Sequence, residues 1–463
     1  MDTNWPPDLS SASGSKYIVL LQSLRAAIRS GTLPAQHRLP PVRELAWQLG
    51  ITPGTVARAY KLANDEGLLD TAVGRGTFVA GGADRAPVVD EPLINTIQAD
   101  TLDFRACRVA DLGQGRVIRD ILMRMGQGTG SRYTDYPTSD TDLSARKAVV
   151  DWIGQDRAGR LAADDIVLGF GAQNAVMMVL QACLSGPTPV ILTEELAYPG
   201  VRHAARLLRA KLVGVAMDQD GIRPDRLAEA YRTHGGQVLL TAAEVHSPTT
   251  TRTSHARRQE IADLARKFQL QIIEDDCHRV ANSDIPGYRA LCPERGWYVS
   301  SLTKSVSATL RFGFAACPSA MARAARQVAQ SSFYGMPQPI LDLCAELLRS
   351  GEAERIRQGV EKINLQRVHQ AVNILGQWDI RWRSDVPFIW LRLPQGWRGS
   401  TFATACEARG IRIKPADEFA LPDGAAPHAV RLALNAIVPQ PQFEAGLKEI
   451  AAMLANPPPN VDL

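Results

Sequence analysis

No stretch of this chain stays apolar for anything near the roughly 20 residues that a membrane-spanning helix requires. A helical span is therefore not expected. The seven cysteines, Cys107, Cys183, Cys277, Cys292, Cys317, Cys344 and Cys406, are odd in number, widely scattered and contain no C-x-x-C pair. That pattern excludes a disulfide framework and a structural zinc site, and no other metal-ligand set stands out, so the thiols read as reduced core residues. The first residues, Met1-Asp2-Thr3-Asn4-Trp5-Pro6-Pro7, lack the basic start and apolar run of a signal peptide, which makes a cytoplasmic protein the expectation. Net charge is small as well: +4 over 463 residues neither demands nor excludes nucleic acid. What is present is the balance of a soluble globular protein, 45% hydrophobic and 22% charged, in a chain too long for one ordinary core. Two or three domains are expected.

From Ser15 to Gly31, residues Tyr17, Leu20, Leu21, Leu24 and Ile28 keep the i, i+3, i+4, i+7 spacing of a helix with one buried face, ended by Gly31 and Pro34. Val42, Leu45, Ala46 and Leu49 repeat the pattern behind Pro40-Pro41, and Gly50 supplies the left-handed turn that stops it. Thr52 then caps a third helix that has Pro53 at its first position and Val56, Ala59, Tyr60 and Ala63 on its inner face. Two helices around a short glycine-containing turn make a helix-turn-helix. The outer face of the third helix carries Thr55, Arg58 and Lys61, side chains suited to a major groove and its phosphates. Val73-Gly74-Arg75-Gly76-Thr77-Phe78-Val79 reads as a hairpin wing with a basic tip.

Gly81-Gly82-Ala83-Asp84-Arg85-Ala86-Pro87 marks an exposed boundary. Expected limits are 1–82 for the first domain, 83–102 for a linker and 103–463 for a second domain. In the latter, strand-like runs (Ile166–Leu168, Pro189–Leu192, Val238–Leu240, Gln271–Ile273) alternate with helical patterns such as Ala175–Cys183 and Arg257–Phe268, which predicts a mostly parallel sheet covered by helices. One strand runs into Asp275-Asp276, and Lys304 follows 29 positions beyond Asp275 in Ser300-Ser301-Leu302-Thr303-Lys304. A lysine and an acid so placed are the two protein groups that pyridoxal 5'-phosphate needs, one for a Schiff base and one to keep the pyridine nitrogen protonated. Gly169-Phe170-Gly171-Ala172-Gln173 lies between a strand and a helix, where backbone N–H groups face an anion. Tyr198, Ser247, Arg311 and Arg431 follow in order.

Leu39-Pro40-Pro41-Val42-Arg43-Glu44-Leu45-Ala46, Gly50-Ile51-Thr52, Thr55-Val56, Ala59-Tyr60, Gly67-Leu68-Leu69 and Gly74-Arg75-Gly76-Thr77-Phe78-Val79 resemble the GntR-type winged helix-turn-helix, with Pro41 where that family usually has Ser. The resemblance implies DNA contacts at Arg43, Thr55, Arg58, Arg75 and Gly76. The ordered motifs from roughly Asp103 to Leu454 resemble fold-type I aminotransferases, and the two modules together resemble the MocR/GabR family of bacterial transcriptional regulators. That implies an α/β chain: a winged helix-turn-helix, then a PLP-dependent aminotransferase-like domain with a mostly parallel central sheet. The roles it implies are Schiff base for Lys304, pyridinium partner for Asp275, ring stacking for Tyr198, phosphate binding for Gly171, Ala172, Gln173, Ser301 and Arg311, a further cofactor contact for Ser247, and effector-carboxylate binding for Arg431. It also implies a homodimer, operator DNA, and a small amino-compound effector sensed through external aldimine formation at Lys304. Tyr133 is either a core tyrosine or a phosphate contact across the dimer.

Two departures bear on chemistry. Ser247-Pro248-Thr249-Thr250 replaces the usual Asn-Pro-Thr-Gly, and Cys277-His278 replaces the tyrosine expected after the acid pair. Both missing side chains normally hydrogen-bond the cofactor's phenolic oxygen, so the tuning needed for efficient transamination is expected to suffer. His246 or His278 either substitutes for them or is a satisfied structural histidine. An active aminotransferase with a DNA-binding appendage is the alternative function, and a winged-helix protein with a dead dimerisation scaffold a third.

Overall fold

The computed structural model describes residues 5–6, 15–34, 37–65, 68–72, 76–79, 101–127, 133–138, 140–421, 424 and 426–457. The chain forms two compact units, Met1–Asn95 and Thr96–Leu463.

In the first unit, three helices, α1 (Lys16–Arg29), α2 (Val42–Gln48) and α3 (Pro53–Asp65), precede an antiparallel hairpin of β1 (Leu69–Ala72) and β2 (Gly76–Val79), with Leu69 opposite Val79. The apolar faces converge: Leu20, Leu24, Leu45, Val56, Ala59 and Leu69 are all essentially inaccessible. Burying them is what holds helices this short, since isolated helices of this length are marginal in water. Gly50 ends α2 at φ +61°, and Thr52 Oγ1 accepts the N–H of Thr55 at 3.3 Å to cap α3. Pro41 stands at the start of α2 and offers no side-chain cap, the loss expected from its replacing Ser. The other edge of β2 is occupied too, since Val79 N–H donates to His37 O and Leu39 N–H to Thr77 O, each at 2.8 Å.

The second unit is built on a seven-stranded sheet of β3 (Ile166–Gly169), β4 (Val190–Glu194), β5 (Lys211–Val215), β6 (Val238–Thr241), β7 (Gln271–Asp275), β8 (Gly296–Ser301) and β9 (Gly313–Ala316), in spatial order β3-β9-β8-β7-β6-β4-β5. Every pairing is parallel except those of β9, which runs antiparallel to β8 and β3. Helices cover both faces, so strands such as β6, β8 and β9 are buried along their whole length. A smaller sheet of β10 (Ile380–Arg381), β11 (Phe388–Arg392), β12 (Lys414–Pro415) and β13 (Ala429–Ala433), ordered β10-β11-β13-β12, packs with its own core around Phe402, Phe443 and Leu447. Among the described residues no helix is long and apolar enough to cross a membrane.

The register fixes what meets at one sheet edge. Asp275 is opposite Val299 in the parallel pair β7–β8, so Ser300, Ser301 and Lys304 emerge just past the acid. Gly169 is opposite Gly313, so the antiparallel β9 begins where β3 ends and brings Arg311 beside Gly171. Tyr198 and Ser247 follow β4 and β6 at that same carboxyl edge, the usual ligand crevice of an open α/β sheet.

Candidate functional site

Lys304 lies in the turn after β8, and its Nζ donates to Cys107 O at 2.8 Å. Asp275 ends β7. Its carboxylate accepts the Cys277 N–H at 3.1 Å, and among the described residues no cation pairs with it. Burial pushes its pKa up to about 6 despite that bond. The neighbouring Asp276 is different: burial opposes its ionisation, but Arg157 Nε at 3.2 Å and Arg279 Nε at 2.7 Å outweigh this and hold it below its ordinary value. Asp276 is thus committed to a buried ion cluster that also contains Glu274, Glu244 and Arg258, leaving Asp275 as the acid of the pair with charge to offer.

The anion cradle is tight. Gly171 precedes the helix Ala172–Cys183 at φ +84°, ψ 170°, a conformation essentially restricted to glycine, and a Cβ there would lie 2.6 Å from Arg311 Nη2. A Cβ on Gly313 would fall 2.3 Å from the Gly171 carbonyl carbon, so the loop and β9 touch backbone to backbone. Arg311 Nη2 donates to Phe170 O at 3.1 Å, which sets a cation at a helix N-terminus that already favours anions. Ala172 and Gln173 form the first turn, and Gln173 Nε2 donates to Gly200 O at 2.9 Å. Ser301 is buried at the end of β8 with its Oγ accepting from Thr303 N–H at 3.4 Å. Tyr198 keeps 36% of its surface exposed, while its hydroxyl end is pushed up to about 12, first by burial and then by Cys277 and Asp275, which sets that end near the acid.

Arg431 arrives from the small sheet. Its Nη1 donates to Ser247 Oγ at 2.7 Å, its Nη2 to Arg105 O, and its guanidinium lies over Phe388 (5.3 Å) and Phe419 (5.1 Å). Its Nε has no partner among the described residues, and burial lowers its pKa. Ser247, expected as a cofactor contact, thus has its hydroxyl on Arg431. His246 is a satisfied structural histidine, with Nε2 2.9 Å from Leu196 O and Nδ1 2.7 Å from Thr249 Oγ1. His278 is not: its Nδ1 is sealed from solvent with no partner among the described residues. Tyr133 is 41% exposed, so it is no core tyrosine. Sequence reasoning missed Cys107, the Arg157 and Arg279 clamp, and the Phe388–Phe419 pair; Cys107, Arg157 and the two aromatics act through contacts distant in sequence that no local motif announces, whereas Arg279 pairs with Asp276 only three residues away.

In the first unit Arg43 and Arg58 are exposed, while Thr55 is half-buried with its hydroxyl 2.9 Å from that of Thr52. Arg58 does not stand free, because its guanidinium stacks over the Tyr17 ring at 4.0 Å. Gly76 has φ +114°, and Arg38 Nε would lie 3.1 Å from a Cβ there, which adds a cation at the base of the wing that the sequence did not suggest. Arg75 lies outside the described residues.

Residues 108–450 match the aminotransferase class I and II family, and residues 16–79 match the gntR family of bacterial regulatory proteins. An HTH-type transcriptional regulator of Bacillus subtilis, YdeF, is 26% identical over 97% of this chain and 97% of its own length. The probable rhizopine catabolism regulatory protein MocR of Rhizobium meliloti is 24% identical over 76% of this chain and 73% of its own. Among solved structures, an archaeal alanine:glyoxylate aminotransferase superposes with a TM-score of 0.69 at 21% identity, covering 77% of this chain and 91% of that one, which bears on fold alone. The chain belongs to the aminotransferase class I and II family, and the gntR-type segment ahead of that domain gives it the two-module composition of the MocR-type transcriptional regulators.

Proposed function

We propose that this regulator reads operator DNA with its first unit and binds pyridoxal 5'-phosphate in its second, using the cofactor to sense a small amino compound. The observation that carries the cofactor reading is Asp275: a carboxylate at the end of a buried strand, without a cationic partner among the described residues, on the same sheet edge as Lys304. A cationic heterocycle bearing an aldehyde and a phosphate fits what surrounds it. Gly171, Ala172, Gln173 and Arg311 would hold the phosphate with Ser301 beside them, Tyr198 would lie against the ring, and Asp275 would keep the proton on the ring nitrogen. When bound, pyridoxal phosphate supplies an aldehyde that exchanges amines and a ring that withdraws electrons.

Lys304 then serves as the resident amine, and an incoming effector amine competes for its place. Arg431, rigid between two aromatic rings and with Nε uncommitted, takes the effector carboxylate as a charge-assisted pair. Freed from the cofactor, the Lys304 ammonium has the Cys107 carbonyl as an acceptor, so the segment carrying Cys107 and Arg105 senses both ends of the exchange. This shifts DNA binding only insofar as the effector binds the two conformations unequally. Regulation rather than turnover is favoured by Ser247, whose hydroxyl accepts from Arg431 instead of tuning the cofactor oxygen. Two copies of the chain per operator, in the cytoplasm, complete the reading.

The two acids separate role from scaffold. Asp275→Ala is expected to weaken cofactor retention tenfold or more with little loss of fold, whereas Asp276→Ala should destabilise the protein by about 3–5 kcal/mol because Arg157 and Arg279 lose a buried counter-ion. Cofactor titrations and thermal melts on both variants decide it, and the reverse pattern would show that the wrong acid has been assigned. A pH consequence follows from the raised pKa. The folded value of about 6 lies above the unfolded 3.8, so the unpaired carboxyl subtracts stability from the apo protein as pH rises through that window. Melting the apo and loaded forms across pH 4 to 7 should show that loss in the apo form and little of it once a cation pairs with Asp275. Gly171→Ala should cut affinity for the cofactor by about tenfold or more, since the backbone strain alone is of order 1–3 kcal/mol and Arg311 must also move.

A further inference from the structure

His278 is a polar side chain of the site that the proposed mechanism leaves unused. It stands three residues after Asp275, its ring is edge-on to Phe388 at 5.4 Å, and the Arg431 guanidinium lies over that same phenylalanine at 5.3 Å. Lys304 and Arg431 are the cations that act on it, with Asp276 the opposing charge; burial first and then the two cations drive its pKa well below the ordinary histidine value. The ring is therefore neutral and carries one proton, which must sit on one nitrogen.

The surroundings decide which. Nδ1 is sealed from solvent with no hydrogen-bond partner among the described residues. A buried N–H without an acceptor forfeits a strong bond, while a bare lone pair near two cations is favoured electrostatically. The proton accordingly belongs on Nε2, which makes His278 a donor. In pyridoxal phosphate the phenolic oxygen is on the ring carbon next to the aldehyde, so an N–H near the Lys304 ammonium has that oxygen as its natural acceptor. Two other side chains that could have given the bond are committed elsewhere: Ser247 Oγ is held by Arg431, and His246 by Leu196 O and Thr249 Oγ1.

We infer that His278, as its Nε2–H tautomer, donates the hydrogen bond to the cofactor's phenolic oxygen that a tyrosine gives in related proteins, and so sets how readily Lys304 is displaced by an effector amine. The inference rests on the cofactor reading above. A donor on that oxygen competes with the proton that oxygen shares with the lysine nitrogen, so removing the donor raises the midpoint of the pH titration of the visible band. A hydrogen bond to a charged group corresponds to about one to two pH units.

The test titrates the visible spectrum of the full-length, cofactor-loaded protein for wild type, His278→Phe, His278→Gln and His278→Tyr. The expected result is a midpoint about one to two pH units higher for His278→Phe, a tenfold to hundredfold lower proton concentration, restored toward wild type by Gln and Tyr, which keep a donor. Loss of packing alone would not discriminate Phe from Tyr. Histidine nitrogen NMR of the loaded wild type, with the signal assigned through His278→Gln, provides a measurement independent of any mutant's folding and should show the Nε2–H tautomer. An unmoved midpoint in His278→Phe, or an Nδ1–H tautomer, would overturn this inference while leaving the cofactor assignment standing. A wild-type protein with no visible band after incubation with cofactor would remove both.

Discussion

Lys304→Ala should abolish the lysine-linked visible band of the loaded protein while leaving its fold and its DNA affinity unchanged. The effect is all or none because the band belongs to a covalent bond that only an unhindered primary amine can make, and Lys304 is the amine that the turn after β8 delivers to the carboxyl edge of the sheet. Little structure should be lost with it. The ammonium makes one hydrogen bond, to the Cys107 carbonyl, and the residue is only half-buried, so truncation opens no large cavity. Phosphate and ring contacts remain, so the variant should still bind cofactor non-covalently, with the spectrum of the free aldehyde. Borohydride reduction followed by peptide mapping sharpens the result: wild type should carry the reduced cofactor on the peptide containing Lys304, and the variant on none. Fixation of the label to another lysine in wild type would reassign the site. Effector response should vanish as well, because an amine that cannot displace a resident lysine has no exchange through which to act.

The elements that sequence reveals and those that it hides differ in a physical way. Local periodicity marks the helices of the first unit because each has a single buried face, and it marks β6 and β7 because both faces of a parallel strand are apolar. It does not mark β9, Gly313-Phe314-Ala315-Ala316, whose glycine is required by contact with Gly171 and whose alanines have little strand preference. Nor does it mark the edge strand β5, which begins with a lysine and contains a glycine. Yet β9 is the strand that carries Arg311 to the anion cradle, so the geometry of the cradle could not be reached from periodicity. The site residues themselves were recognisable as motifs. Their partners were not: Arg157 lies 119 positions from Asp276 and Cys107 lies 197 from Lys304, and only the folded sheet brings them together. The same limit explains Arg58, which reads as a free basic side chain on α3 but stacks on Tyr17 of α1.

Cutting the chain near Pro87 should separate its two activities almost completely. The large unit alone is expected to remain dimeric and to take up cofactor, because every residue of the proposed pocket lies beyond residue 104, and to lose DNA binding. The segment Met1–Gly82 has its own core of Leu20, Leu24, Leu45, Val56 and Ala59, so it should fold, but as a monomer. One winged helix reads only a short site, and two half-sites bound by linked copies gain an effective concentration worth about 10²–10⁴ in affinity. Operator affinity of the isolated segment should fall by that factor. Within the full-length chain, Arg58→Ala removes a side chain that its stacking on Tyr17 pre-orders at the exposed face of α3, and is expected to cost about 1–3 kcal/mol if it reads a base or to lower the salt slope by about one if it meets a phosphate. Gel-shift titrations at several salt concentrations distinguish these, and light scattering gives the oligomeric state. A monomeric large unit would refute dimerisation through the aminotransferase-like domain. An isolated segment that binds the operator as tightly as the whole chain would refute the claim that pairing of half-sites, rather than the helix alone, supplies the affinity.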